Sequence, residues 1–157
     1  MITAREIAVG TQKYLISIGR ISAIEATLEY ARVDLMSLKP HSFCDTGDLT
    51  VYEIKISRSD FLNEIKQQKY LRAMKSCNRF YYLCPPYLIL PTELPQNAGL
   101  CFYDNGEIKV IKRAKRINTI ITNYTLIRLA NKLSEELEML KRENKELTTP
   151  VDKEARK

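Results

Sequence analysis

The spacing of apolar positions predicts a helix followed by extended chain in the first third of the sequence. Apolar residues recur at helical spacing between residues 3 and 18, which predicts a helix that ends near Gly19. The segment 26–38 indicates extended chain that runs into a loop, and residues 43–50 are typical of a polar turn. Residues 51–56, VYEIKI, have the β-branched and aromatic content of a strand.

The middle of the chain predicts a second helix and then further strands. Hydroxyl and carboxylate side chains at residues 57–60 can cap a helix that runs to about Ser76. Residues 79–84, RFYYLC, predict a buried strand, and the short apolar runs 100–103 and 108–111 flank a hairpin signal. The order of helix, strands, helix and strands predicts a mixed α/β domain around one central sheet.

The last quarter of the chain predicts an amphipathic, coiled-coil-like helix over residues 122–148, after an α/β domain at 1–121 and before a polar tail at 149–157. Its heptad seam consists of Leu126, Ala130, Leu133, Leu137, Leu140, Asn144 and Leu147. An asparagine in such a seam favours a defined register, so we expect a dimer through residues 126–147. A helix that packs back onto its own domain is the alternative.

Composition narrows the possible chemistry. The 157 residues include 25 Lys+Arg, 19 Asp+Glu and one histidine, with a net charge of +6. A single histidine excludes histidine pairs and His-rich zinc sites, and the four cysteines lack a CxxC spacing. The N-terminus has no signal-peptide pattern, and no stretch of eighteen apolar residues occurs. We therefore expect a cytoplasmic protein without a membrane segment, whose chemistry uses carboxylates, lysine or cysteine.

Acidic and basic residues interrupt the two predicted strands. Glu53 and Lys55 project to one side of their strand, and Asp34 lies in the preceding one. If the strands are antiparallel neighbours, Asp34 can face Glu53, and two such carboxylates repel each other unless a cation lies between them. Oxygen ligands of this kind suit Mg²⁺ or Mn²⁺. The alternative is that Glu53 and Lys55 form a surface pair while Asp34 caps a turn.

These residues carry a resemblance to a known family. The runs RVDL at 32–35 and VYEIK at 51–55 resemble the split signature of the PD-(D/E)xK nuclease superfamily. The longer text EIKISRSDFLNEIKQQKYLRAMKSCNRFYYLCP is similar to the MmcB-like DNA repair group within it. The resemblance covers about residues 25–113. It implies a restriction-endonuclease-like mixed sheet flanked by helices and Mg²⁺-dependent cleavage of nucleic acid.

Carried over by position, the resemblance makes Asp34 and Glu53 the metal carboxylates and Lys55 the catalytic lysine. Val33 stands where the family signature has proline, which leaves the metal ligands unchanged. Replacing Asp34 or Lys55 by alanine is expected to abolish Mg²⁺-dependent cleavage and to leave the fold intact.

Two further positions of the family pattern have candidates in this sequence. Many members of the superfamily add an acid from the first helix, for which Glu6 is the candidate, with Glu25 and Glu29 as rivals. Some carry a polar residue on the helix after E-x-K, a position for Gln68 or Lys69.

Clustered cations indicate a polyanionic partner, most simply DNA. The candidate nucleic-acid-binding residues are Lys66, Lys69, Lys112, Arg113, Lys115 and Arg116. A solvated helix face and a charged edge strand are the alternatives. We expect a metal-dependent nuclease that acts in DNA repair or nucleic-acid processing. The alternatives are a non-catalytic nucleic-acid-binding scaffold that self-associates, and a protein-interaction module.

Overall fold

A computed structural model of the chain describes residues 1–40 and 48–147. The predicted turn around Gly47, His41, Cys44 and the tail at 149–157 lie outside the described residues. The elements in chain order are α1 (Ala4–Ser17), β1 (Ile21–Thr27), β2 (Arg32–Lys39), β3 (Asp48–Ile54), α2 (Arg58–Gln67), α3 (Tyr70–Met74), β4 (Arg79–Cys84), a 3-10 turn (Pro91–Glu93), β5 (Gly99–Asp104), β6 (Glu107–Lys112) and α4 (Asn123–Leu147). The predicted α/β class, with one central sheet and a C-terminal helix, is confirmed.

The described strands form one mixed sheet in the order β1-β2-β3-β4-β5-β6. β4 runs parallel to both of its neighbours, β3 and β5, and the other pairs are antiparallel. The parallel step from β3 to β4 is made by α2 and α3, as a parallel connection requires a crossover. In the antiparallel β2–β3 pair Leu35 lies opposite Tyr52. This pairing confirms the antiparallel arrangement on which the prediction of the site depended.

Each face of the sheet is covered by its own layer of helix. The α1 layer packs on one face, and its core comprises Ile7, Leu15, Leu35, Tyr52, Ile54, Tyr81, Leu83, Cys101 and Tyr103. The layer of α2, α3 and the start of α4 packs on the other, with Val51, Phe61, Met74, Phe80, Tyr82, Leu100 and Leu129. Because successive strand residues point to opposite faces, neighbouring positions on β3 serve two separate environments.

Two predicted elements are divided in the structure. The extended segment at 26–38 belongs to a hairpin of β1 and β2, in which Ala26 lies opposite Val33. The helix predicted to run to Ser76 ends at Gln68, whose backbone is left-handed with φ 53°, and it resumes at Tyr70. The Lys69 N–H then bonds back to the Glu64 carbonyl at 3.3 Å, which satisfies an orphan carbonyl at the helix end.

Helix α4 packs onto the domain through Thr125, Leu129 and Leu133. Thr125 and Leu129 are buried there. Of the heptad seam, Leu133 packs against the core, while Leu126, Leu137 and Leu140 are 43%, 53% and 56% exposed. The alternative prediction, a helix that packs back onto its own domain, therefore holds for the first turns of α4. Leu126, Leu137 and Leu140 remain accessible. No helix in the described part of the chain is long and apolar enough to cross a membrane.

Candidate carboxylate and lysine site

The predicted acids meet where β2 begins and β3 ends. Continuing the pairing of Leu35 with Tyr52 by one position places Asp34 opposite Glu53. The Ile54 N–H donates a 2.8 Å hydrogen bond to Asp34 Oδ2, which fixes that carboxylate against the end of β3. Lys55 follows directly, and its own N–H bonds to the Leu83 carbonyl of β4 at 3.0 Å. The sheet thus positions all three predicted residues through backbone bonds.

Lys55 bridges two largely buried carboxylates. Its Nζ lies 2.9 Å from Glu53 Oε1, and it also forms an ion pair with Glu64 Oε2 from α2. The side chains of Lys55, Glu53 and Glu64 are 11%, 19% and 9% exposed. The Tyr82 hydroxyl donates to Glu64 Oε1 at 2.9 Å. Because burial excludes most water, these contacts hold the lysine in one position.

Glu64 is a member of this cluster that the sequence did not predict. It lies three residues after the buried Phe61, on the side of α2 that faces the sheet. Residues three apart share a helix face, but the spacing alone does not distinguish Glu64 from the exposed polar residues of the same helix. The family resemblance instead points to Gln68 or Lys69, about one turn later.

The two strand carboxylates resist ionisation. Burial raises the pKa of Asp34 above its ordinary value, although the hydrogen bond from Ile54 and the charge of Lys55 oppose the shift. Burial and then the charge of Asp34 raise the pKa of Glu53 to about 7. A raised pKa at two adjacent acids means that their negative charge lacks full compensation from the protein.

Lys55 remains a cation at neutral pH. Burial alone would lower its pKa, but the charge of Glu53 and the hydrogen bonds to Glu64 and Glu53 outweigh this and raise the pKa above its ordinary value. Fully ionised, the acids Asp34, Glu53 and Glu64 carry three negative charges against this one positive charge. These four side chains together then carry a net charge of 1 − 3 = −2.

A cavity of about 500 Å³ opens beside this cluster. Glu53 and Glu64 line its wall, and Gln68 and Lys69 also line it. The cationic side chains that line it are Arg32, Lys69 and Arg72. A small anion or a phosphate of a larger ligand can thus approach the carboxylates between basic groups.

The three candidates for the additional acid lie in different places. Glu6 accepts hydrogen bonds from the Thr3 N–H and hydroxyl at the start of α1 and lines a hollow beside the β5–β6 turn, so it is not brought to the site. Glu29 accepts a bond from the Thr122 hydroxyl at 3.1 Å. Glu25 lies between the positions paired with Leu35 and Val33, across from Asp34, and forms an ion pair with Arg32 at 3.2 Å.

The predicted basic residues divide between two regions. Lys66 lies in the last turn of α2 and Lys69 lies between α2 and α3, where it lines the cavity beside Glu53. Lys112, Arg113, Lys115 and Arg116 lie at or after the end of β6. β6 is three strands from β3, or about 14 Å at the usual strand spacing. The structure therefore does not bring this basic segment to the carboxylates.

The carboxylate oxygens of the site are ligands of the kind that Mg²⁺ prefers. No group of three or more His, Cys, Asp or Glu side chains within residues 1–40 and 48–147 is arranged to hold a metal ion. Asp34 and Glu53 nevertheless offer hard oxygen donors, and Asp34 keeps one oxygen beside the one bonded to Ile54. Mg²⁺ commonly binds through one or two carboxylates and keeps several waters. The charge balance and this donor pair fit such an ion.

Comparison with known proteins gives a fold relationship. No protein-family model and no curated protein matches the chain. Among solved structures, the chain is similar to the SPO1766 protein of unknown function from Silicibacter pomeroyi, with a TM-score of 0.69 and 22% sequence identity. The similarity covers 97% of this chain and 98% of that one. The whole architecture, including α4, therefore recurs in another protein.

Proposed function

We propose that this protein is a metal-dependent phosphodiesterase with a restriction-endonuclease-like fold, which cleaves DNA in repair or nucleic-acid processing. One observation carries the proposal: Asp34 and Glu53 lie opposite each other on adjacent strands, with Lys55 fixed beside them. The resemblance of residues 25–113 to PD-(D/E)xK nucleases, closest to the MmcB-like group, assigns these same three residues to metal binding and catalysis.

A bound Mg²⁺ or Mn²⁺ would supply charge stabilisation at the phosphodiester and a more acidic water. Asp34 and Glu53 would hold this ion, and their raised pKa values make them good partners for it, since binding a cation relieves their mutual repulsion. Glu64 keeps Lys55 oriented, because one of its oxygens is held by Tyr82 and the other pairs with the lysine.

Lys55 would act on the reacting phosphate. Its ammonium is fixed by two carboxylates and stays protonated. A preorganised positive charge in a site of low water content stabilises charge that develops in the transition state. Arg32, Lys69 and Arg72 would attract the substrate backbone into the cavity.

The experiment is cleavage of a substrate panel with and without metal. Duplex, single-stranded, flapped and branched DNA, and RNA, are incubated with Mg²⁺ or Mn²⁺, while metal binding is followed by calorimetry. Asp34→Asn is the sharpest variant, because an amide oxygen can still accept the Ile54 N–H and preserve the end of β3. Asp60→Asn, on the exposed side of α2, is the matched control. Full cleavage by Asp34→Asn would reject the assignment.

A non-catalytic nucleic-acid-binding scaffold is the second candidate, and one observation favours it. Lys55 already balances part of the charge of Glu53 and Glu64 without any metal. Salt-sensitive DNA binding without metal binding would support this scaffold. In either case we propose self-association through residues 126–147, since Leu126, Leu137 and Leu140 are exposed.

We also propose a cytoplasmic location. Cys77, Cys84 and Cys101 are unpaired, buried thiols, which is usual in a reducing compartment.

A further inference from the structure

A second cavity lies on the opposite face of the sheet, beneath α1. Its volume is about 350 Å³, and it shares no lining residue with the carboxylate cavity. Thr11 and Leu15 of α1 form one wall, and Thr50 and Tyr52 of β3 line it too. These strand residues alternate with Glu53, so the two cavities open on different sides of β3.

The cavity under α1 carries an excess of positive charge. Arg20, Arg79 and Arg113 line it, and Asp48 is the only acid among its described lining residues. Arg79 Nε lies 3.5 Å from Asp48 Oδ1, so this pair partly neutralises itself. The remaining arginines leave a net charge of about two positive units for a ligand.

Uncharged hydrogen-bond acceptors fix the position of the Arg20 guanidinium. Its guanidinium donates to Ser37 Oγ at 2.8 Å, to Thr50 Oγ1 at 3.1 Å and to the Asp48 carbonyl at 3.1 Å. No carboxylate in the described part of the chain forms an ion pair with Arg20 or with Arg113. A guanidinium fixed by neutral acceptors keeps its full charge for an anion and loses little entropy on binding.

Thr11 supplies an independent sign of a missing polar partner. Its side chain is fully buried, lines the cavity, and its hydroxyl makes no hydrogen bond to any described residue. A buried hydroxyl without a partner is costly and is rarely left so in a folded protein. A ligand oxygen would satisfy it once the atoms that now cover the hydroxyl move aside.

The rest of the lining is flat and apolar. The Tyr52 and Tyr81 rings are stacked, with centroids 5.6 Å apart and planes at 18°. Gly99 lies opposite Tyr81, and any side chain at Gly99 would collide with that ring and with the Ala114 backbone. The glycine therefore preserves the position of the stacked pair. A ligand with an aromatic or aliphatic body fits beside it.

We propose that the cavity under α1 binds a phosphate monoester that carries a small organic body, such as a nucleoside monophosphate. A dianionic phosphate matches the net charge of the arginines, accepts from several donors at once, and presents oxygens to Thr11. The volume falls at the lower end of the range of about 300–1,000 Å³ for ligand pockets. The same chemistry is available from a free nucleotide or from the 5′-phosphate of a DNA strand.

Calorimetry on the full chain tests this proposal without reference to cleavage. The probes are inorganic phosphate, a nucleoside monophosphate, the matching nucleoside, and a short oligonucleotide with and without a 5′-phosphate. We expect the monophosphate to bind and the nucleoside to bind at least tenfold more weakly. Binding of the phosphorylated oligonucleotide in place of the monophosphate would identify a strand end as the source. Equal binding of nucleoside and monophosphate, or no binding of any phosphorylated probe, would overturn the proposal.

Two variants and one control locate the binding. Arg113→Ala should weaken binding about tenfold or more, whereas Lys109→Ala, which removes the same charge from an exposed position outside the cavity, should leave it unchanged. Thr11→Val keeps the shape and removes the unpartnered hydroxyl, so it should raise the melting temperature of the free protein and weaken phosphate binding. Unchanged phosphate binding in both cavity variants would place the ligand elsewhere.

Discussion

At the scale of single residues, the charge balance of the carboxylate site depends on Lys55. It is the cation that contacts both Glu53 and Glu64, and all three side chains are largely buried. Removing one partner of a buried ion pair leaves uncompensated charge and commonly costs about 3–5 kcal/mol. From the sequence, Lys55→Ala is expected to leave the fold intact. Because Lys55 makes these buried contacts, an experiment on such a variant must distinguish loss of activity from loss of stability.

We therefore predict that Lys55→Met lowers the free energy of unfolding by about 3 kcal/mol. Methionine keeps much of the side-chain volume and removes the charge. The decrease in the free energy of unfolding therefore measures the cost of leaving Glu53 and Glu64 without their cation. Urea denaturation followed by circular dichroism measures it, with the exposed Lys13→Met as the control. A change within about 0.5 kcal/mol, typical of surface substitutions, would show that Lys55 is not needed to balance the acids.

The pH dependence of stability gives a test of Glu53. Its pKa in the folded protein, about 7, lies above the ordinary value of 4.5, so the folded state binds more protons than the unfolded state between these values. Stability must therefore fall as pH rises through this window. In EDTA, Glu53→Gln should be more stable than wild type by on the order of 2 kcal/mol at pH 8 and should lose this advantage near pH 4.

The same unfolding measurements at several pH values supply the control. The exposed Glu107→Gln should follow wild type across the range, because its side chain lies in solvent. A stability difference between Glu53→Gln and wild type that does not change with pH would contradict the raised pKa of Glu53.

Asp34, Glu53 and Lys55 could be predicted because charged residues stand out in strands of alternating apolar positions. Glu64 could not be found in the same way, since an acid in a helix rich in polar residues is normally exposed. Its burial depends on where the crossover places α2 against Tyr82. That placement is a tertiary property, which the spacing of one helix does not contain.

At the scale of elements, the ending of α2 at Gln68 is a feature of backbone conformation. Gln68 has φ 53° and ψ 30°, a region that costs a residue with a side chain about 1 kcal/mol and costs glycine little. Gln68→Gly should accordingly raise the free energy of unfolding by about 0.5–1 kcal/mol, and Gln68→Val should lower it. Urea denaturation checks both variants. The opposite order would mean that the side chain of Gln68 contributes more than its backbone costs.

The strands differ in how far the sequence predicts them. β4 was predicted with its observed bounds because a continuous apolar run, FYYLC, follows Arg79, as expected for a strand buried on both faces. Only the last two residues of β1 fell within the extended segment predicted at 26–38, and that segment ran on into β2 because no glycine or proline marks the turn. The parallel pairing of β4 with β3 and β5 joins segments that are distant in the chain, so local periodicity could not indicate it.

At the scale of the whole molecule, β3 separates a cluster of acids around Lys55 from a cavity lined by arginines. Its last residues carry Glu53 towards α2, and its first residues carry Asp48 and Thr50 towards the arginines beneath α1. Because successive residues of a strand point to opposite faces of the sheet, the two sites are separate and each can hold its own ligand. An acidic site for a cation and a basic site for a phosphate can thus coexist within one small domain.

Helix α4 gives the last prediction, on association between copies of the chain. It packs onto the sheet through Thr125 and Leu129, while Leu137 and Leu140 are more than half exposed. Exposed leucines at heptad spacing gain stability when two helices bury them together. Replacing Leu137 and Leu140 together by lysine should therefore shift the protein to monomers and leave its circular dichroism spectrum unchanged.

Size-exclusion chromatography with light scattering, over a range of protein concentrations, measures this shift. The control combines Asn131→Lys with Glu135→Gln, which adds the same charge to exposed positions of α4 outside the heptad seam. This control variant should associate as wild type does, because it changes only the charge of α4 and keeps Leu137 and Leu140. A monomeric wild type, or equal dissociation of the control, would show that α4 extends from the domain for a purpose other than pairing with a second copy.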